Sequence, residues 1–460
     1  MKKILLLLSL VIAITALIPV FGNKLIENIL NENIEVLKTN GIEITESKTE
    51  SSYLHTKKHY EFLLKDANKV VEHLNKFSSE KLPPYLHSML EGVLVGVDLD
   101  YSNIPFSKAL SIDIYPLKLS DKVMSDMQNK DVKFSEYIKS FLRNRGVLYH
   151  VNYNLLSRDF DGYIKDINEQ QSLKSGAHLT LTLQNFIYSG SGELIAPTKL
   201  HSNVNKMMIR VADNEDEFLF NIQDFSTDAR FESQTTYTSA VKLEKLEMLT
   251  GSKSSGNIEL NISGMVASVS SNMQGVKGEM SAKSSINSIL INSTELDVNA
   301  SNFNYDIALQ GMDKDSFEEV RMLASKIKTN DTDKAAENLQ DGFIKLLSKG
   351  LTLDVNDFSL EKIVIDNTKD LEGFSLKSKA TIKEDISLKD ELKNTPALVV
   401  KDVNMNTNLK FSKAIFDLAV EKYPMVVLAK EYAKDEAKSL AYDFSFIDGA
   451  FKINDKPLNF

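Results

Sequence analysis

The sequence predicts a mainly β fold with added helices (α+β): an N-terminal transmembrane helix, then long antiparallel amphipathic sheets, with helices concentrated after residue 311. Three observations carry this. Ile4 to Phe21 is an uncharged, largely apolar run behind Lys2 and Lys3. From residue 42 onward apolar and polar residues alternate with period two, the signature of strands with one face in water. Helical spacing returns strongly only in the last third.

The apolar run spans 18 residues, or about 27 Å as a helix, close to a bilayer's hydrocarbon thickness. Ala16, preceded by Ile14 and followed by Pro19 and Phe21, is a poor cleavage site, so residues 1–21 read as a retained signal-anchor, with a cleaved signal peptide as the alternative. Positive charge before the run and Glu27, Glu32 and Glu35 after it place the body outside the cytoplasm. The expected location is a single-pass inner-membrane protein with a periplasmic body. Asn23 to Leu37 has the spacing of a short amphipathic helix.

In the region expected to be β-rich, 22–310, strands are predicted near 53–64, 93–101, 147–155, 217–225 and 296–309. Leu179, Leu181 and Leu183 alternate with Thr180, Thr182 and Gln184, and Ile258, Leu260 and Ile262 with Glu259 and Asn261. Short helices are expected at 66–77 and 135–143. The third region, 311–460, is expected to be α+β. Ser316 to Glu319 reads as a capping box opening a helix, and a second helix should run from 332 to 347, stopped by Gly350. Strands follow at 351–355, 374–382 and 403–411. A long helical stretch from 413 to 441 carries a breaking Pro424. Phe444, Phe446, Asp448-Gly449, Phe451 and Ile453 spell a closing hairpin.

Composition excludes several functions. The net charge is −10, which gives no electrostatic footprint for nucleic acid. The absence of cysteine removes disulfides, thiolate metal ligands, a cysteine nucleophile and a cysteine-linked lipid anchor.

No catalytic, cofactor or metal site is assigned. His55 and His59 have zinc-like i, i+4 spacing only on a helix. On the strand expected there they stand about 13 Å apart. His73, His87, His150, His178 and His201 are scattered. Asp313 to Ser316 lacks the glycine and terminal glutamate of a calcium loop and reads as a helix start. Asn214 to Glu217 reads as a solvated turn. Gly190-Ser191-Gly192 is an incomplete nucleophile elbow and reads as a hairpin tip.

The order of elements resembles the YdgA-like family of bacterial inner-membrane-anchored proteins, whose function is unknown. The likeness rests on the anchor, the long period-two body, Leu346 to Leu353 turning into a strand, and the ending Asp448 to Leu458. Asn103-Ile104-Pro105-Phe106 is similar to the family's Gly-Pro-Phe element, with Ile104 where glycine is expected, and Leu243 to Met248 also matches. The resemblance implies a periplasmic body on a membrane tether and supplies no catalytic residues.

The expected function is that of a non-enzymatic envelope protein, a tethered scaffold or partner-binding module. Its partners are the membrane through the N-terminal helix, and another copy or an envelope protein. The alternative is a carrier of lipid or another apolar ligand in a β-groove, formed where long half-solvated sheets curl with their apolar face inward, a layout analogous to AsmA-like proteins. An envelope hydrolase is a third reading. Open, greasy sheet interiors favour the carrier.

Overall fold

A computed structural model describes residues 39–52, 55–75, 85–102, 109–154, 156–193, 196–233, 235–252, 256–326, 332–366, 371–384 and 402–457. The anchor at 1–21, the helix expected at 23–37 and Asn103 to Phe106 lie outside them. The chain divides into two units, residues up to Arg230 with Glu247–Gly256, and Phe231–Leu246 with residues from Asn257 onward.

In the first unit, alternation makes an antiparallel meander: β1 (Ile42–Ser51), β2 (His55–Leu64), β3 (Leu94–Ser102), β4 (Ala109–Lys118), β5 (Tyr149–Asn154) and β6 (Asp159–Ile164) pair in sequence. β6 continues onto β9 (Phe186–Glu193), and β9 onto the first half of β10 (Ala196–Ala212). The second half of β10 pairs with β8 (His178–Gln184), which carries β7 (Ile167–Ser172). The other side of β10 takes β11 (Asp216–Phe231).

One face of β2–β5 is apolar and is closed by four helices, α1 (Ala67–Asn75), α2 (Leu86–Leu90), α3 (Asp121–Lys130) and α4 (Val132–Arg143). α4 shows why. Phe134, Ile138 and Leu142, at i, i+4 spacing, bury one stripe against a core that includes fully buried Ile112 and Ile114. Asp131 caps it by accepting the Phe134 N–H at 3.0 Å, and Ser120 caps α3 from Val123 N–H at 3.3 Å, satisfying donors that have no partner inside the helix.

The second unit takes Tyr237–Leu246 of β12 (Tyr237–Ser252) and a run of long strands. β13 (Gly256–Asn272), β14 (Lys277–Asn292), β15 (Asp297–Asp313), β16 (Leu351–Ile365), β17 (Leu371–Ile382), β18 (Val403–Ser412) and β20 (Ser439–Ile447) pair antiparallel in that order. β21 (Ala450–Ile453) closes on β20, with β22 (Lys456–Pro457) beyond it, and β19 (Lys434–Asp435) also joins β20. The final hairpin turns at Asp448 and Gly449, both at positive φ (50° and 79°), the conformation a two-residue hairpin loop requires. α5 (Lys314–Lys326) and α6 (Thr332–Ser348) lie between β15 and β16. α7 (Lys413–Lys422) and a 3-10 segment, Pro424–Tyr432, follow β18.

The expected fold class needs correction. The described chain is mostly β, and its helices are not concentrated after residue 311, since four of them belong to the first unit. A sheet face built from Val95, Val97, Ile112 and Ile114 needs a second layer to leave water, and α1–α4 supply it. The stretch 413–441 also yields less helix than its spacing suggests, because Pro424 ends α7 and the chain re-enters the sheet at β19. The transmembrane helix expected at the N-terminus has no support either. Among the described residues no helix is long and apolar enough to cross a membrane.

Candidate functional site

Two arrangements stand out, a polar row in the first unit and an apolar face in the second. The polar row follows from register. His59 on β2 lies opposite Asp98 on β3, which lies opposite Asp113 on β4, then His150 on β5 and Tyr163 on β6. Directly opposed residues in antiparallel strands share a face, so two carboxylates stand side by side with an imidazole at each end. His59 Nδ1 is 2.6 Å from Asp98 Oδ1, and His150 Nδ1 is 2.6 Å from Asp113 Oδ1. His150 stacks on Tyr163, with centroids 4.8 Å apart.

Adjacent like charges on one sheet face repel, and the loop after α4 brings the compensation. Arg145, at φ 52°, places Nη2 2.6 Å from Asp98 Oδ2 and donates to the Tyr115 hydroxyl at 2.9 Å. Its guanidinium lies 4.1 Å above the Tyr115 ring centre, a cation–π arrangement. Tyr115 in turn donates to Asp98 Oδ2 at 3.1 Å. Burial, reinforced by the Asp98 charge, pushes the Tyr115 hydroxyl pKa well above its usual value, so it stays a donor. Gly96 makes room for that ring, since a Cβ there would meet it at 2.4 Å.

The other sequence candidates fall elsewhere. His55 and His59 are on a strand as expected, and His55 faces Asp100 at 3.5 Å. His201 pairs with Asp228 at 2.8 Å. Asp313 caps α5, accepting from Ser316 N–H at 3.0 Å and Ser316 Oγ at 2.6 Å. The helix thus opens at Lys314 with Asp313 as its cap, ahead of the Ser316 box expected from sequence. Those bonds hold the Asp313 carboxyl below the usual carboxylate range. Asp213 receives the Glu215 and Asp216 N–H groups at 2.8 and 2.7 Å in a tight turn. Gly190-Ser191-Gly192 is no hairpin tip. It lies inside β9, paired on both sides, where a Cβ on Gly190 would strike the Lys199 carbonyl at 2.3 Å and the Phe160 ring at 2.4 Å. Among the described residues no group of three or more His, Asp or Glu is placed to hold a metal ion.

The apolar face is larger. In the second unit register aligns uncharged residues into rows that cross the whole sheet. One row runs Met265, Ile286, Phe303, Leu360, Phe374, Phe411 and Leu440. The next but one runs Val269, Ala282, Ile307, Val355, Ser378, Thr407 and Phe444. Charges such as Lys283, Asp306, Asp354 and Lys379 alternate onto the opposite face, where Lys283 pairs with Asp306 and Lys379 with Asp354.

The apolar face is covered at two places only among the described residues. α5 and α6 bring Val320, Leu339 and Leu346 onto Met273, Met280 and Met312. α7 brings Phe416 onto Phe411, Leu440 and Tyr442, with Phe416 and Phe411 stacked at 6.1 Å. Between them Val269, Phe303, Ile307, Val355, Phe358 and Leu376 remain only partly buried, and Leu353 is exposed. Such a face binds apolar matter without direction, because the sheet already consumes its backbone donors and acceptors.

A separate cavity of 560 Å³ is lined by polar and charged residues together with Leu360, Phe374 and Phe411 of the apolar row. Of its charged residues Lys410 pairs with Glu436 and Lys438 with Glu372, while Glu361 accepts from Asn302.

No protein-family model, no curated protein and no solved structure matches the chain. The resemblance to the YdgA-like family gains no support from these comparisons.

Proposed function

We propose that this protein binds an apolar ligand of the acyl-chain class along the uncharged face of its second unit, as a carrier acting outside the cytoplasm. The observation that carries this reading is the open middle of that face, rows of uncharged, mostly apolar side chains running from β13 to β20 with, among the described residues, helices only over its two ends. A protein storing these residues as core would close the middle too, since each large apolar side chain left half in water forgoes roughly 1 kcal/mol of burial. The placement outside the cytoplasm rests on the apolar run at residues 4–21 and the charges flanking it.

The polar row of the first unit serves in this reading as architecture. Its carboxylates are matched by His59, His150 and Arg145. A tethered scaffold is the competing reading, in which a protein partner covers the same face.

The test is direct. Protein purified from membranes is extracted with solvent and analysed for lipid, and a fluorescent acyl probe is titrated onto the delipidated protein. Val355→Asp places a carboxylate in the open row and should weaken probe binding by at least roughly tenfold. Ser285→Asp, on the polar face opposite Asn304, should leave it unchanged. Absence of co-purifying lipid, together with equal probe binding by the two variants, would sink the carrier reading and leave the scaffold.

A further inference from the structure

Beyond its proposed ligand face, the second unit carries an apolar feature that packing does not explain. The 3-10 segment Pro424–Tyr432 follows α7 directly. From Tyr423 to Ala429 the chain reads Tyr-Pro-Met-Val-Val-Leu-Ala, seven residues without a charge, bracketed by Lys422 and Lys430. Val426 and Tyr432 turn inward and pack on the Phe416–Leu440–Tyr442 cluster. That anchors the segment while its other side chains face out. Met425 is 77% exposed, Tyr423 66% and Leu428 62%, with Val427 and, on α7, Leu418 also exposed. Nowhere else among the described residues do so many exposed large apolar side chains fall so close together in sequence.

We infer that this strip is a membrane-docking element that inserts into the interfacial layer of an anionic lipid bilayer. Three features favour lipid over a protein partner. The seven uncharged residues, six of them in 3-10 geometry, extend only about 14 Å, and at a helix width of roughly 10 Å they cannot supply the ~800 Å² per side that a stable protein interface buries.

The charges also suit lipid. Lys413, Lys434 and Lys438 nearby are engaged by Asp435, Asp443 and Glu372. Lys422 and Lys430 form no ion pair among the described residues and are exposed. Lys456 joins them, reaching the Glu431 carbonyl at 2.8 Å and sitting 5.9 Å from the centre of the Tyr432 ring. Apolar side chains between lysines match acyl chains below anionic headgroups. The acidic residues of the segment, Glu421 and Glu431, lie outside the bracket.

The composition of the strip points the same way. Tyr423 at its start is of the type that prefers the bilayer interface, with its ring in the apolar layer and its hydroxyl in the wet one.

Docking would bring the α7-covered end of the apolar face to the bilayer. That consequence rests on the acyl-ligand reading, whereas docking itself does not, and the two are tested separately. The chain has no cysteine, so Met425→Cys and Leu428→Cys each give one attachment point for an environment-sensitive fluorophore in the full-length protein. Both positions are exposed, and neither change removes a packed side chain. Val276→Cys, 80% exposed in the β13–β14 turn, is the reference.

With phosphatidylcholine–phosphatidylglycerol vesicles the labels at 425 and 428 should shift to the blue and be quenched by lipids brominated on their acyl chains. The label at 276 should do neither. Adding Lys422→Glu and Lys430→Glu should reduce the quenching at 425 on these vesicles. Emission at 425 that stays at its aqueous wavelength overturns the proposal. So does quenching no greater than at 276, or a blue shift that grows with protein concentration in the absence of lipid and so marks a second copy as the occupant.

Discussion

The two units apply one sequence rule to opposite ends. In the first, the apolar face of β2–β5 lies under α1–α4, and Ile112, Ile114, Val97 and Val151 are lost to water. In the second, strands of 15 to 17 residues from β13 to β16 present a mostly apolar face that, among the described residues, α5–α6 and α7 cover only at its ends. The lesson is that period-two patterning specifies which face is greasy. Whether that face becomes a core or a binding surface depends on how much helix is laid over it.

The largest effect should come from breaking the closed core. Ile112→Ala in the first unit should cost about 3–4 kcal/mol, because the cavity cannot collapse between a sheet and a helix layer. Ile307→Ala in the open middle of the second unit should cost about 1 kcal/mol or less, since its side chain is already half in water. Urea titrations of the two variants measure the contrast. Equal costs would mean that the second face is a core after all, and would also count against the carrier.

A smaller effect tests the polar row. Removing Arg145 leaves Asp98 and Asp113 adjacent with only the imidazoles and the Tyr115 hydroxyl beside them, and Arg145→Ala should destabilise the protein by about 1–2 kcal/mol. Part of the loss should return in the double variant with Asp98→Asn, where the repulsion is gone. Additive losses would show that Arg145 acts through its packing on Tyr115 alone.

The smallest expected effect sharpens the account of α5 in the second unit. Asp313→Ala removes the cap and should cost about 1 kcal/mol near neutral pH. The folded carboxyl is held below its ordinary value by Ser316, so its ionised form is the stabilising one. That contribution is complete above the ordinary carboxylate pKa of about 4 and fades as pH falls through the lower folded value. Wild type and variant should therefore converge in thermal melts as the pH is taken below that lowered folded value. A difference independent of pH would assign the cost to lost contacts rather than to the cap.

Much of the strand layout was legible. The alternations at 179–184, 258–262, 351–355, 374–382 and 403–411 all lie in strands, and the Asp448-Gly449 turn is where its chemistry demands. Helices at 67–75, 132–143, 314–326 and 332–348 match their spacing closely. The glycines at 190 and 192 were misleading, because a sheet also uses glycine where a ring from the next strand needs the space, as Phe160 does over Gly190. His59 and His150 are 91 residues apart, and no local spacing could reveal that four strands of register set them in one row.

By itself, then, the sequence determined the two-faced character of nearly every strand and the signs of the charges on the polar side, because side-chain direction in a strand depends only on parity. Only the tertiary structure decided which residues meet across strands, which apolar face is capped and which stays open, and that Met425, Val427 and Leu428 point away from the body while Val426 points into it. These are outcomes of register and helix placement, and both are set by contacts between segments far apart in the chain.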